Sequence, residues 1–302
     1  MSIKNILVPL DGSQSSETVL PMAEVLARQN HARLILFHVI EQHPPDTVHG
    51  ERHLTDDQEA SAYLDQVSQT LSSEIKIDRH VHTSAEKDVA VSIVEHSKEM
   101  KVDLIAMCAH GQSGLEKRIF GNIAQQVLNQ GDVPVLLFSP EKEMKAETCS
   151  CQCILVPLDG DPDHEAGLDM AIELSQNCQA RLHLVMVIHK LSTLPGEQAA
   201  SAVLLPSATS VLLDMDCEEG EMYLAGLISK LLDKNIPVTG EVTRGDPAKQ
   251  IVRAAKEFQA DMIVLGTHSK TAMDAFWSGS VTPKIATQTH LPLLLVPVHE
   301  EG

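Results

Sequence analysis

The sequence predicts an α/β protein of two tandem domains, each built on a doubly wound sheet of five parallel strands. One observation is a repeat, because the heptapeptide Ile-Leu-Val-Pro-Leu-Asp-Gly at Ile6–Gly12 returns unchanged at Ile154–Gly160. An identical heptapeptide 148 positions later indicates a duplicated domain. The other observation is an alternation of short apolar runs with longer amphipathic stretches, which is typical of βαβ units. Apolar strands joined by crossover helices form parallel sheets that are covered on both faces.

The repeat also locates the two domains. Farther along the chain the offset between matching residues grows from 148 to 158, so ten additional residues lie inside the second copy. We expect domains at residues 1–141 and 151–302, each long enough for a core of its own. The polar residues 142–150 between them are predicted to form a linker. The apolar stretch Leu191–Asp216, which contains the insertion, has no clear period and predicts no particular element.

In the first copy, apolar runs predict the strands and amphipathic spacing predicts the helices. Pro21 fits its helix only in the first turn, because proline lacks an amide hydrogen. Gly131 is the expected C-cap of the last helix. The predicted strands are Ile3–Leu10, Arg33–Ile40, Ile77–Thr83, Val102–Cys108 and Val133–Phe138. The predicted helices are Ser16–Gln29, Asp57–Ser72, Asp88–Glu99 and Asn122–Asn129.

The second copy repeats this order and ends in an apolar run at Leu293–Val298. Its clearest helix start is Asp246-Pro247, an N-cap followed by a proline at the first helical position. Each copy therefore supplies the complete set of elements for one doubly wound domain.

Composition excludes several classes of partner. A net charge of −19 repels phosphate backbones and anionic lipid surfaces, so we expect neither nucleic acid nor a membrane as a partner. No apolar run approaches the ~20 residues that span a bilayer, and the N-terminus lacks the apolar core of a signal peptide. Six cysteines in a chain of this length do not form a disulfide scaffold. A reduced, cytoplasmic protein is therefore expected.

In each copy the loop after strand four has the composition of an anion site. Open α/β sheets bind ligands beyond the carboxyl ends of their strands, where the loops after strands one and four meet. After strand four, the second copy has Gly266-Thr-His-Ser269, nine residues and Gly279-Ser280-Val281, and the first has Cys108-Ala-His-Gly111, nine residues and Gly121-Asn122-Ile123. Ser280 and Asn122 are predicted N-caps of helices whose free amides and dipole suit a phosphate.

This arrangement resembles the universal stress protein family, whose pattern is G-x2-G-x9-G-[ST] after a first strand that ends in aspartate. The resemblance covers nearly the whole chain, twice. It implies a Rossmann-like fold of the adenine nucleotide alpha hydrolase type in each copy, and binding of ATP or another adenine nucleotide in some members. It also implies that the two final strands, Val133–Phe138 and Leu293–Val298, pair antiparallel across a two-fold axis. The copies would then pack as a pseudo-dimer, and a further homodimer stays open.

The family's binding positions carry over to this sequence residue by residue. The resemblance places Asp11 and Asp159 near the adenosine and the backbones of Val39 and Val187 beside the adenine. His110 and His268 occupy equivalent places inside the phosphate-loop motif, where two roles stay open: support of the loop structure, or a hydrogen bond near a phosphate. The matching phosphate-loop residues are Gly111, Gly121 and Asn122 in the first copy and Gly266, Ser269, Gly279, Ser280 and Val281 in the second.

Both copies depart from the family pattern, and the departures rank them. Cys108 replaces the first glycine in the first copy, where its side chain would crowd a ligand, and Asn122 replaces the final Ser or Thr. In the second copy only Ser269 departs, and serine is small and can donate a hydrogen bond. We therefore expect the nucleotide in the second copy, with Mg²⁺ offsetting its phosphate charge.

Two other functions stay open at this point. One is a nucleotide-free scaffold of the same fold that acts through protein partners. The other is a metal or redox protein built on Cys149, Cys151 and Cys153, which an extended backbone would place on one face. We expect these thiols instead to lie reduced in a linker, where they are dispensable for folding.

No pattern of catalytic residues emerges from the sequence. A GxxxxGK[ST] loop and a GxSxG elbow are absent, so we expect no defined enzyme and at most a weak ATPase. His43, His49 and His53 share one loop without the spacing of metal ligands, and they are expected to be solvated.

Overall fold

The first domain forms the predicted α/β unit in a computed structural model that describes residues 2–109, 121–138, 149–267 and 281–298. The strands are β1 (Asn5–Pro9), β2 (Arg33–Glu41), β3 (Thr47–Val48), β4 (Glu51–Arg52), β5 (Ile77–Glu86), β6 (Leu104–Cys108) and β7 (Val135–Phe138). The helices are α1 (Gln14–Glu17), α2 (Leu20–Gln29), α3 (Asp57–Thr70), α4 (Val89–Glu99) and α5 (Asn122–Gln130).

The second domain repeats the large strands and changes the segment after its second strand. Its strands are β8 (Cys153–Leu158), β9 (Arg181–Ile188), β10 (Val238–Arg244), β11 (Met262–Thr267) and β12 (Leu293–Pro297). Its α-helices are α6 (Ala166–Cys178), α7 (Gly196–Leu204), α8 (Pro206–Asp233), α9 (Pro247–Glu257) and α10 (Val281–Ala286), with short 3₁₀ turns at Pro162–His164 and Leu191–Thr193.

The two domains share one sheet of ten strands in the order β10-β9-β8-β11-β12-β7-β6-β1-β2-β5. Within each domain every neighbouring pair in this order is parallel, as predicted. Between the domains β7 and β12 are antiparallel, with Leu136 opposite Leu294. The expected pairing of the two final strands is therefore confirmed.

Helices cover both faces of this sheet. Alternate residues of each central strand face opposite layers, so Ile6 and Val8 pack against α2 and α3 while Leu7 packs against α4 and α5. In the second domain α6 and α8 cover the first face, and α9 and α10 cover the second. No helix within the four described ranges is long and apolar enough to cross a membrane.

Three local predictions required correction or completion. The predicted helix Ser16–Gln29 is divided, because α1 ends at Glu17 and α2 begins at Leu20; Pro21 consequently lies in a first turn, as its chemistry demands. The β3–β4 hairpin was not predicted. The unassigned stretch Leu191–Asp216 forms a 3₁₀ turn, α7 and the first part of α8.

The interpretation of the junction cysteines as linker thiols is wrong for two of them. Cys151 and Cys153 are 4% and 3% exposed, and Cys153 begins β8. They also lie on opposite faces of the sheet, since Cys151 packs with Cys149 in one core layer and Cys153 packs in the other. A hydrogen bond with Cys178 and burial raise the pKa of the Cys151 thiol, and burial raises the pKa of Cys153. The described part of the predicted linker is limited to residues 149–150, and residues 142–148 lie outside the described ranges.

Candidate functional site

A cavity of about 410 Å³ lies at the carboxyl ends of β1, β2 and β6 in the first domain. This is the switch point of the sheet, because β1 has β2 on one side and β6 on the other. Four of the predicted binding residues line it, namely Asp11, Val39, Gly121 and Asn122. Apolar walls come from Phe37, Val48, Val89, Ile93, Met107 and Ile123.

The turn after β1 fixes the Asp11 carboxylate at the edge of this cavity. Ser13 donates to Asp11 Oδ1 from its backbone amide at 2.9 Å and from its hydroxyl at 2.6 Å. The turn needs glycine at the next position, since Gly12 has a φ of 91° and leaves no room for a Cβ against the Leu54 side chain at 2.9 Å. His49 Nε2 lies 3.5 Å from the other carboxylate oxygen, Asp11 Oδ2.

The β3–β4 hairpin covers one side of the cavity. Val48 and His49 of this hairpin are lining residues, and Glu51 Oε1 accepts a hydrogen bond of 2.9 Å from the Gln14 amide at the start of α1. His53 follows β4 and is buried; its Nε2 lies 3.1 Å from Glu41 Oε1 and its Nδ1 2.9 Å from the Leu54 carbonyl oxygen.

The expectation that the three loop histidines are solvated therefore holds for one of them. His43 is exposed, but His49 and His53 are held against carboxylates beside the cavity. The sequence hid this arrangement because Asp11 and Glu41 belong to the ends of two different strands, which only the fold brings to the same loop.

His38 is a lining residue that the sequence did not suggest. Its ring is buried, its Nδ1 donates to the Leu10 carbonyl oxygen at 2.7 Å, and no described residue bonds its Nε2. Burial lowers the pKa of His38, so the ring is neutral near pH 7 and Nε2 carries a lone pair. A ligand amino or hydroxyl group could donate to this atom. One signal was present, since His38 is a polar residue within the apolar run of β2.

The start of α5 forms the remaining wall and corrects a prediction. Gly121 is the N-cap, with φ −63° and ψ 156°, while Asn122 is the first helical residue and not the cap. The Gly121 amide donates to the Ala109 carbonyl oxygen at 2.8 Å, which ties the helix start to the end of β6. The free amides of the first turn and the positive end of the helix dipole belong to this N-terminal end of α5, which lines the cavity. Cys108, in place of the family's first glycine, also lines the cavity, whereas His110 and Gly111 lie outside the described residues.

The second domain keeps the aspartate turn with a different partner. Asp159 Oδ2 lies 2.6 Å from His164 Nδ1, and its Oδ1 accepts from the Asp161 amide at 3.0 Å. Gly160 has a φ of 89°, like its equivalent in the first domain, and a Cβ there would lie 2.9 Å from the Met186 methyl carbon. Val187 lies in β9, which is the neighbour of β8 in the sheet, and this turn follows β8.

Gly266 lies inside β11, near its carboxyl end, and not in the loop after it; packing alone already requires a glycine there. An added Cβ would lie 2.9 Å from the His164 carbonyl oxygen. Val281 begins α10. The predicted site residues His268, Ser269, Gly279 and Ser280 lie outside the described residues.

No cluster of metal ligands emerges where the structure is described. Within those ranges, no group of three or more His, Cys, Asp or Glu side chains is placed to hold a metal ion.

Comparisons with known proteins agree with this architecture. The model of the universal stress protein family matches residues 2–139 and again residues 152–297. A universal stress protein of Methanocaldococcus jannaschii is 26% identical over 145 residues, which are 47% of this chain and 80% of that protein. One from Mycobacterium bovis is 20% identical over 301 residues, which are 96% of each chain.

One solved structure shows the same fold over nearly the whole chain. A universal stress protein from Archaeoglobus fulgidus superposes with a TM-score of 0.72 at 18% identity, covering 99% of this chain and all of that chain. A universal stress protein solved in complex with cAMP covers 47% of this chain at 20% identity, with a TM-score of 0.35. Because the family model matches both halves, the chain belongs to the universal stress protein family.

Proposed function

We propose that this stress-response protein binds an adenine nucleotide and acts through it as a sensor or regulator. The observation that carries the proposal is the cavity of about 410 Å³ at the switch point of the first sheet. Its volume falls within the ~300–1,000 Å³ typical of small-molecule sites. Asp11, Val39, Gly121 and Asn122, which the family resemblance selects as binding residues, all line it.

The chemistry of the cavity suits an adenosine with its phosphates toward α5. The apolar walls fit a base, and the lone pair of His38 Nε2 can accept from an amino group or a ribose hydroxyl. Asp11 is a carboxylate, so it favours the sugar or base and repels phosphate. The described lining contains Asp11 and Glu41 but neither Lys nor Arg. Mg²⁺ is therefore expected to strengthen ATP binding by offsetting phosphate charge.

The ranking of the two domains follows from the loop sequences. The second domain has the family glycine at 266 and 279 and a serine at 280, whereas the first has Cys108 and Asn122 at the matching places. The two domains share strand order and the geometry of the aspartate turn, so the first-domain cavity shows the kind of space that this architecture leaves at a switch point. We propose that the second domain is the tighter site.

The alternative functions have less support. A metal or redox centre on the junction cysteines is disfavoured because Cys151 and Cys153 are buried on opposite faces, with raised thiol pKa values. A nucleotide-free scaffold of the same fold remains the alternative, and a binding measurement separates it from the proposal.

The experiment uses the full chain purified without added nucleotide. The protein is denatured, and the released small molecules are identified by mass spectrometry. Calorimetric titrations with ATP and AMP, each with and without Mg²⁺, then measure affinity and stoichiometry, with GTP as the control for the base. We expect an adenine nucleotide in the released fraction or saturable ATP binding. No released nucleotide and no binding heat up to millimolar ATP would favour the scaffold.

A further inference from the structure

The outward face of α8 carries a row of exposed apolar side chains. Val211, Met215 and Met222 are 58%, 51% and 68% exposed. Their spacing of four and seven residues places them on one side of a helix. The residues by which α8 packs onto the sheet, Leu213, Gly220, Leu224 and Leu231, occupy the opposite side. We call the outward row, together with Leu212 at 59% exposure, the α8 stripe.

Exposed apolar residues are concentrated in this part of the molecule. Among the ten large apolar side chains that are exposed in the described ranges, all but Ile123 lie between Leu191 and Leu232. The corner between α7 and α8 adds Val203 and Leu204, each 80% exposed, and Leu205. A concentration of exposed apolar side chains in one segment indicates an interaction site, because isolated exposed residues are common but clusters are not. Two methionines in the stripe can adapt to the shape of a partner.

Acidic residues surround the stripe. Helix α8 contains six acidic residues and one basic residue, Lys230, and Glu218 and Glu219 fall between Met215 and Met222 along the outward face. Asp216 and Glu221 are exposed on either side of the row. Asp214 is paired with Arg244 at 2.6 Å, which anchors α8 to the end of β10. The outward face of α8 therefore combines apolar side chains with carboxylates that lie between them and on either side of them.

We propose that the α8 stripe docks a basic amphipathic helix of another protein. Such a helix would bury its apolar side chains against Val211, Met215 and Met222 and place Lys or Arg opposite the surrounding carboxylates. A second copy of this chain fits poorly, because two α8 helices side by side would bring acidic residues together. The same charges repel an anionic bilayer. The proposal is independent of nucleotide binding, since the stripe lies on the side of α8 opposite the residues that pack onto the sheet.

The test uses a fluorescent amphipathic peptide built from leucine and lysine, with the leucines on one helical face. Fluorescence anisotropy with the full chain at physiological salt should show saturable binding. A peptide with the same pattern but glutamate in place of lysine should not bind. The triple variant Val211→Ser/Met215→Ser/Met222→Ser keeps the net charge and should weaken binding at least about tenfold, since each lost apolar contact contributes to affinity. Thermal melting of the variant should match that of the unaltered protein, because all three side chains are exposed.

A charge control separates docking from general attraction to an acidic protein. Glu218→Gln/Glu219→Gln should weaken binding more than Glu74→Gln/Glu95→Gln, which removes the same charge from exposed positions in the first domain. Equal weakening by both pairs, or unchanged binding by the triple variant, would overturn the proposal. Sedimentation that shows a dimer dependent on the α8 stripe would also overturn it, in favour of a second copy of this chain.

Discussion

The two domains share a scaffold and differ most in the segment that follows the second strand. In the first domain this segment holds the β3–β4 hairpin and α3, and in the second it holds α7 and the longer α8. The repeated heptapeptide builds the same turn in both, since Gly12 and Gly160 have φ values of 91° and 89°. What lies over that turn is different, with Leu54 in one domain and Met186 in the other. The duplication has kept the aspartate turn, which lies at the edge of the cavity in the first domain, and varied the side chains that cover it.

The histidine that contacts the aspartate of this turn also differs between the two domains. Asp11 meets His49 at 3.5 Å from the hairpin, whereas Asp159 meets His164 at 2.6 Å from its own turn. At the end of the second strand, a buried histidine at 38 corresponds to Met186 at the 148-residue offset. The first domain thus has more polar groups beside the aspartate turn. The loop after the fourth strand of the second domain departs from the family pattern at fewer positions. The comparison predicts two unequal sites.

Replacing the last glycine of each phosphate loop should separate the two sites and have the largest effect. On our proposal Gly279→Val should abolish ATP binding in the second domain, because the family pattern has a glycine at this position and a small residue there lets the backbone approach a phosphate closely. Gly121→Val is the matched control and should matter less for the overall affinity. Calorimetric titration of both variants measures the difference. Unchanged affinity in Gly279→Val, with loss in Gly121→Val, would place the working site in the first domain and reverse our ranking.

The cysteines at the junction allow a comparison of the segments that precede the first strand of each domain. Cys151 corresponds to Ile3 at the 148-residue offset, and both are buried in the same core layer. Cys151→Ser should therefore lower the free energy of unfolding by about 1–3 kcal/mol, the usual cost of a buried hydroxyl. Cys149→Ser is the control and should cost less, because Cys149 is half-buried. Urea denaturation measures both, and equal small effects would restore the view of Cys151 as a linker thiol.

The sequence predicted the fold well because the fold depends on local signals that occur twice. The apolar strand runs, the Asp246-Pro247 helix start and the heptapeptide each specify their element without distant contacts, and the structure contains all of them. Pairing of β7 with β12 followed from a family resemblance together with apolar edges. The division of the first helix has a local signal in Pro21, which belongs in a first turn. The core position of Cys151 escaped prediction, since it depends on packing against other elements.

The candidate site was predictable only in part, for a physical reason. Asp11, Val39, Gly121 and Asn122 stand at strand ends and loops, and the family pattern selects them without geometry. His38, His49 and the covering hairpin could not be found in this way. Their roles arise from contacts between the segment after β2 and the turn after β1, and no spacing in the sequence reports such contacts.

A smaller effect should distinguish the cores of the two domains by pH. His183 is 1% exposed in β9, with its ring stacked on Phe258, while the equivalent residue in the first domain is the apolar Ile35. Burial, helped by nearby Arg181, lowers the pKa of His183 from 6.5 to about 4. Between these values the unfolded chain binds a proton that the folded chain does not, so the free energy of unfolding falls as pH drops from 6.5 toward 4.

The variant His183→Ile, which installs the first domain's residue, should remove this contribution and flatten the pH profile. We expect the difference between the unaltered protein and the variant to be about 1–2 kcal/mol near pH 4 relative to pH 7, since relaxation of the protein around a buried charge offsets part of its cost. Denaturation at a series of pH values measures it, with His43→Ile as the control because His43 is exposed. An equal slope in all three proteins would show that the pKa of His183 is the same in the folded and the unfolded chain. The two cores would then not differ in this respect.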